Sequence, residues 1–142
     1  MVDSRSLNSG LGGFVEKLLA HSSEAAQIVI DGQGNAQTLT DRLLDAGVPT
    51  KAIIRPRACD ITAATASMCN AVRERSVTHF GQPALDVSAT RSRTRRIGTG
   101  GGWGFQSTDE ADATLIEACA LAYWSAMTTK RDPKRKAVVW DW

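Results

Sequence analysis

Two aspartates of this sequence stand where a carboxylate could do chemistry, and the first is Asp31. It ends the short β-branched run Ile28-Val29-Ile30, and a Gly-x-Gly turn follows at once. Such a run predicts a buried strand, and open α/β sheets place their chemistry at the carboxyl ends of their strands. Asp-Gly is also a common turn pair, and the pattern alone favours this simpler interpretation of Asp31.

The second aspartate, Asp112, lies far downstream at the start of a nearly all-apolar helix. The helical period places it on one face with Ile116, Cys119 and Tyr123. An ionised carboxylate on that face needs a backbone donor, a cation or a metal as its partner. The alternative role is to complement the helix dipole, which Asp109 could do while staying in water.

Acids placed in this way suit metal-dependent cleavage of phosphodiesters. Two-metal cleavage uses several carboxylates around ions that lie about 3.5–4 Å apart. Magnesium prefers oxygen ligands, so Asp and Glu side chains suffice. We therefore predict that Asp31 and Asp112 meet around Mg²⁺ or Mn²⁺, with Asp109 as a further candidate ligand. The sequence pattern does not identify a third acid on a neighbouring strand.

Basic residues cluster in two stretches, although the formal net charge is only +2. Residues 91–96 hold four arginines in six positions, and residues 130–136 form the second cluster. A guanidinium can pair two phosphate oxygens, which points to DNA, whereas plain solvated loops are an equally good interpretation. The predicted DNA contacts are Arg91, Arg93, Arg95, Arg96, Lys130 and Arg131.

The composition limits the class of protein. A chain of 142 residues with 42% hydrophobic and 23% charged residues predicts one globular domain. No apolar run is long enough to span a bilayer, and the N-terminus lacks a signal-peptide pattern, so we expect a soluble cytoplasmic protein. The three cysteines show no C-x-x-C spacing, which favours buried thiols over a zinc site.

Apolar periodicity predicts an alternation of helices and short strands. A β-α-β unit with parallel strands spans residues 26–54, and a β-hairpin with a glycine-rich turn spans residues 91–105. The glycines lack the spacing of a phosphate loop. Ser107 and Glu110 match a capping box that would begin the last helix, which is apolar on almost every face. Further predicted elements are helices at 11–21, 37–46, 61–75 and 83–90, and a short strand at 77–80.

Taken in order, these motifs resemble the nuclease domain of phage terminase large subunits. The strand, acid and glycine turn at 28–34, with Ala46-Gly47-Val48 at the end of the next helix, look like its second acidic motif. Asp112 and the helix containing Ala122-Tyr123-Trp124 look like its third. The other similar segments are 67–72, 79–86, 95–98, 103–105 and 131–133.

This resemblance implies an RNase H-like α/β fold, with a partial mixed sheet flanked by helices, and metal-dependent cleavage of concatemeric phage DNA. It implies a flexible N-terminus at 1–10, an incomplete nuclease domain at 11–128 and a basic tail at 129–142. Asp31 would be the second catalytic acid and Asp112 the third. Nothing before Leu11 resembles the strand of the first acid, and the packaging ATPase has no counterpart. We therefore expect a C-terminal portion of a terminase, inactive or weak as it stands.

The expected partners are double-stranded DNA and the remaining terminase or portal components inside a bacterial host cell. Without the first strand, the strand at 26–31 has an open edge, which predicts a homo-oligomer that pairs through it. A non-catalytic DNA-binding or assembly module of phage origin is the main alternative. A scaffold protein that has kept the fold without any ligand is another.

Overall fold

The computed structural model describes residues 10–134 and shows a mixed α/β fold with five α-helices and two two-stranded sheets. The α/β class predicted from the sequence is thus confirmed. None of the helices within residues 10–134 is long and apolar enough to cross a bilayer. In chain order the elements are α1 Gly12–Ser22, β1 Ile28–Val29, α2 Asn35–Asp45, β2 Ile53–Ile54, α3 Ala58–Arg73, α4 Pro83–Arg91, β3 Arg93–Ile97, β4 Gly102–Gln106 and α5 Thr114–Thr128.

The predicted β-α-β unit is present, with α2 connecting two parallel strands. Ile28 of β1 lies opposite Ile53 of β2, and the Ile30 amide donates a hydrogen bond of 2.9 Å to the Ile54 carbonyl. A short 3-10 helix, Thr50–Ala52, precedes β2. The strands are shorter than the apolar runs that predicted them, because only two residue pairs share the ladder.

The parallel sheet separates two hydrophobic clusters. Ile28 and Ile30 point into a cluster formed with α1 and α2, where Leu43 is completely buried. Val29 points the other way, towards a cluster formed by α3, α4, α5 and β4. This alternation follows from the two-residue period of a strand. Successive residues of β1 therefore pack alternately against the two helical layers.

Helix α5 is less buried than its composition predicts. Ile116, Ala120 and Leu121 are buried against α3 and α4, whereas Ala118 and Ala122 are exposed. The prediction of a helix buried on most sides was therefore wrong. Its physical reason is that the exposed alanines face the open side of β1, where no other element of residues 10–134 covers them.

The predicted capping box at the start of α5 was also wrong. The helix begins at Thr114, after an irregular turn in which Thr108 and Ala111 pair. Ser107 instead accepts the Ala113 amide at 2.9 Å, and Glu110 forms an ion pair of 2.9 Å with Arg91. Ser107 and Glu110 thus both form polar contacts, but they do not form the predicted capping box.

Two smaller predictions were corrected as well. Helix α3 begins at Ala58 and not at the predicted position 61. Asp60 therefore lies inside its first turn, where it accepts a hydrogen bond of 2.9 Å from the Arg57 amide. That hydrogen bond is the main reason why the pKa of Asp60 is lowered. The strand predicted at 77–80 is absent; its Phe80 is 85% exposed and has no neighbouring strand to pack on.

The basic hairpin is present and packs against α3. Strands β3 and β4 pair antiparallel, with Arg96 opposite Trp103 and Arg95 opposite Gly104. Glycine is needed at two positions of β4 because the chain runs close to its neighbours. A Cβ on Gly102 would overlap the Thr62 side chain, and one on Gly104 would lie 2.5 Å from Ile97 Cδ1.

We predict that Gly102→Ala lowers the free energy of unfolding by about 1–3 kcal/mol, since the added methyl overpacks the contact between β4 and α3. Urea denaturation measures the change. Gly100→Ala is the matched control, because a Cβ at Gly100 meets nothing within 4 Å. Equal stability of the two variants would contradict the close approach of α3 to β4.

Candidate functional site

The candidate site is a groove of about 430 Å³ beside β1. It touches consecutive residues 28–32, whereas Ile53 and Ile54 of β2 do not line it, so it follows the edge of β1 that faces away from β2. Helices α1 and α2 form one wall and α5 forms the other. The lining residues from these helices are Phe14, Leu18, Leu39, Thr114, Glu117, Ala118, Leu121 and Ala122.

Asp31 lies at the mouth of this groove, directly after β1, and is exposed to solvent. The turn after it depends on glycine, because Gly32 and Gly34 have φ angles of 107° and 69°. Arg55, which follows β2, donates a hydrogen bond of 2.8 Å to the Gly32 carbonyl. The carboxyl ends of the two parallel strands are therefore joined beside Asp31.

Asp112 precedes α5 and acts as its cap. Its Oδ1 accepts the Thr114 amide at 2.9 Å and also the Thr114 hydroxyl, and Ser107 Oγ lies 3.5 Å from it. The hydrogen bonds from Thr114 hold the pKa of Asp112 below its ordinary value. Asp112 is exposed, so its predicted place on an apolar helix face was wrong: the helix starts after it.

Ser88 fixes the backbone on both sides of this cap. Its buried hydroxyl donates to the Asp112 carbonyl and accepts the Ile116 amide at 3.1 Å. Because Ser88 lies in α4, this one side chain sets where α5 begins relative to α4. The position of Asp112 is therefore fixed by this buried contact of its backbone as well as by its own hydrogen bonds from Thr114.

Glu117, in the first turns of α5, is a third acid of the site. Burial raises the pKa of its carboxyl, Arg95 opposes this shift, and the charges of Asp31 and Asp112 add to it. Arg95 of the hairpin lies 3.1 Å from Glu117 Oε1 and also donates to the Phe105 carbonyl at 2.9 Å. Asp31 comes from a distant segment, whereas Asp112 and Glu117 lie close together at the start of α5, and the charges of both aspartates act on Glu117.

These acids do not form a complete metal site within the described chain. Among residues 10–134, no three His, Cys, Asp or Glu side chains lie close enough together to hold one metal ion. The third predicted ligand, Asp109, lies elsewhere and lines a separate cleft of about 350 Å³. That cleft is formed by Arg91, Arg93, Gln106, Ser107, Thr108, Asp109 and Glu110.

The six predicted DNA contacts fall into two groups. Arg91 is paired with Glu110 and Arg95 with Glu117, while Arg131 donates to the backbone carbonyls of residues 25 and 26. Arg93, Arg96 and Lys130 are exposed, and the first two project from β3. Residues 1–9 and 135–142 lie outside the described part, so the loose N-terminus and most of the basic tail stay predictions.

Glu117 was not among the site residues predicted from the sequence. Its signal was available, because it is the single charged residue in Thr114–Thr128. A lone carboxylate in an apolar helix requires a partner, and Arg95 supplies one. The pairing itself could not be read from the sequence, since the two residues lie 22 positions apart.

Comparison of this chain with protein-family models, with curated proteins and with solved structures finds no match.

We predict that Asp31→Asn and Asp112→Asn each lower the pKa of Glu117, because each removes a negative charge that opposes its ionisation. Carbon-detected NMR titration of the Glu117 carboxyl measures the shift. Asp109→Asn, in the separate cleft, is the control and should leave this pKa unchanged. An unchanged Glu117 titration in both site variants would show that the three acids do not interact.

The same raised pKa gives a pH dependence of stability. A carboxyl whose pKa is higher in the folded state contributes stability below its unfolded value of about 4.3 and loses it as the pH rises through the folded value. As the pH rises through this window, the parent protein should therefore lose stability that Glu117→Gln keeps. Asp112 behaves in the opposite way, because its folded pKa is lowered: as the pH falls from its unfolded value through its folded value, the parent protein should lose stability that Asp112→Asn keeps.

Proposed function

We propose that this chain is an RNase H-like DNA endonuclease module of the phage terminase type, in which Asp31 and Asp112 belong to the reactive site. The observation that carries the proposal is the grouping of the acids. Asp31 follows a parallel strand, Asp112 caps the helix that packs beside it, and both charges act on Glu117. Asp31 and Glu117 line the same groove, and Asp112 caps the residue Thr114 that lines it as well, which supports the proposal.

The fold supports this proposal at the level of its layers. A parallel strand pair lies between two helical layers, and its acid lies at the carboxyl end, where open α/β sheets bind ligands. The sheet has only two strands within residues 10–134, which agrees with the incomplete domain that the resemblance implies.

The proposed metal dependence rests on the carboxylates of the groove. Carboxylates are the ligands that Mg²⁺ and Mn²⁺ prefer, but the described residues do not converge into a ligand set. Glu117 is moreover neutralised by Arg95. We therefore assign no reaction step to a metal.

A non-catalytic DNA-binding module is the second candidate, and one observation favours it. The Arg95 guanidinium already compensates the charge of the half-buried Glu117, so this acid has a counter-ion without a bound cation. In this case the exposed arginines of β3 carry the function. Assembly with terminase or portal components, and self-association through the open edge of β1, stay predictions for either candidate.

Nicking of supercoiled plasmid tests the nuclease proposal. We predict Mn²⁺-dependent nicking that chelator stops and that Asp31→Asn and Asp112→Asn reduce to background, while both variants still bind DNA. Asp109→Asn is the matched acid outside the groove and should nick like the parent chain. Nicking that survives in Asp31→Asn would come from a contaminant or from another site and would contradict the assignment.

Salt dependence of DNA affinity tests the binding surface. Each lost phosphate contact lowers the slope of log K against log salt by about one, so Arg93→Gln and Arg96→Gln should each reduce it by that amount. Arg73→Gln, an exposed arginine at the end of α3, is the control. Slopes that are equal in all three variants would place the DNA contacts elsewhere on the chain.

A further inference from the structure

The hairpin of β3 and β4 carries a tryptophan and an arginine side by side on one face. Trp103 of β4 lies directly opposite Arg96 of β3. Residues that are paired in this way across two antiparallel strands have Cβ atoms about 4.5–5.5 Å apart, on the same face of the sheet. Arg96 is exposed and Trp103 is partly exposed. A flat aromatic ring therefore lies next to a cation at the protein surface.

The core of the protein holds the Trp103 ring in place. Phe105, two residues further along β4, belongs to the buried cluster formed with α3, α4 and α5. The centroids of the two rings lie 6.4 Å apart and their planes make an angle of 79°, which is an edge-to-face contact. A ring that is already fixed by a core residue loses little conformational entropy when a ligand binds to it.

Arg96 differs from its neighbour Arg95 in its electrostatic surroundings. Consecutive strand residues point to opposite faces, and Arg95 lies on the face where Glu117 pairs with it at 3.1 Å. None of the ion pairs within residues 10–134 involves Arg96. No carboxylate of the described chain thus occupies its guanidinium, which can pair with an anion.

The turn that joins β3 to β4 leaves the end of the hairpin open. Three of its four residues, 98–101, are glycines. A Cβ built on Gly98, Gly100 or Gly101 would meet nothing within 4 Å, so this turn has free space around it. An extended polymer can therefore approach this end of the hairpin closely.

We propose that this face of the hairpin binds an unpaired nucleotide of a DNA strand, with its base stacked on Trp103 and its phosphate paired with Arg96. Proteins bind single strands with aromatic stacking platforms beside positive charge, because every base has a flat face. In a duplex these faces are covered by the neighbouring base pairs. The proposal rests on the proposed interaction with DNA and does not require that this chain cleaves it.

The charge of this face favours nucleic acid over an apolar protein surface. Thr94 and Arg96 are exposed on it together with the tryptophan. An apolar partner would remove water from the guanidinium without offering an acceptor, which is costly. A phosphate gives the same guanidinium charge-assisted hydrogen bonds, while the base covers the indole. An unpaired nucleotide therefore satisfies both side chains at once.

Comparison of two oligonucleotides on the unmodified chain tests whether bases are bound. An oligothymidylate of about 12 nucleotides and an abasic strand of the same length carry the same phosphate charges, so only base contacts distinguish them. Fluorescence anisotropy at one salt concentration should give about tenfold tighter binding of the oligothymidylate. Equal affinities would overturn the proposal, whatever the behaviour of any variant.

Substitution of Trp103 tests whether this ring is the platform. Trp103→Leu should weaken oligothymidylate binding by about tenfold, whereas Trp103→Phe, which keeps a ring, should retain most of the affinity. Phe80→Leu is the matched control, because Phe80 is an aromatic residue outside the hairpin that is 85% exposed. Circular dichroism checks that each variant is folded. Equal affinities of Trp103→Leu and Phe80→Leu would overturn the assignment.

The salt dependence separates the two parts of the contact. Trp103→Leu should leave the slope of log K against log salt unchanged, since the indole has no charge. Arg96→Gln should reduce this slope by about 0.7 for a single strand, because one phosphate contact is lost. A reduced slope in Trp103→Leu would show that the ring only positions the basic residues, and would contradict stacking.

A duplex of the same length distinguishes this proposal from the proposed function. Trp103→Leu should bind the duplex within about twofold of the parent chain, because paired bases cannot stack on the ring. An equal loss of duplex and single-strand affinity would overturn the proposal. Absence of plasmid nicking with stacking intact would contradict the nuclease assignment alone, and a parent chain that binds neither DNA would contradict both.

Discussion

The packing of α5 between the sheet and α3 is the constraint on which the rest of this structure depends. Ile116, Ala120 and Leu121 bury one side of the helix, and Val29 of β1 packs against the same cluster. Small residues on this side let the helix approach its neighbours closely. Asp112, which caps α5, and Glu117, which lies in it, are positioned by this packing. Ser88 also contributes, because its hydrogen bonds fix the start of α5 against α4.

The electrostatics of the site follow from that placement. Glu117 is drawn into a partly buried position by the helix and has the Arg95 guanidinium as its counter-ion. Two further carboxylates nearby make its ionisation less favourable. Among these acids only Glu117 carries a burial cost, because Asp31 and Asp112 are exposed and Thr114 stabilises the charged form of Asp112. The raised pKa of Glu117 makes it a candidate functional residue.

The open edge of β1 is the second consequence of the same architecture. Helices cover the two faces of the sheet, but within residues 10–134 only β2 covers an edge. An apolar slot bordered by two helical layers has a strong tendency to acquire a strand. Asp31 and Glu117 line this groove, so whatever fills the slot also changes their surroundings. Covering of the edge and the electrostatics of these two acids are therefore physically linked.

The local elements could be read from the sequence because their signals are local. Apolar period, β-branched runs and glycine turns predicted α1, α2, α4, the parallel strand pair and the hairpin. The predictions that were wrong concern residues whose structure depends on contacts with distant parts of the chain. Glu110 paired with Arg91 instead of capping α5, and the strand predicted at 77–80 found no neighbour.

The sequence by itself thus predicted the α/β class, which the structure confirms, and pointed to Asp31 and Asp112 as candidate site residues. The tertiary structure alone decided which acids lie together. It brought Glu117 to Asp31 and Asp112, moved Asp109 to another cleft, and engaged three of the six predicted DNA contacts in internal contacts. The physical reason is that hydrogen bonds and ion pairs between distant residues depend on how the helices pack, and no spacing along the chain encodes that packing.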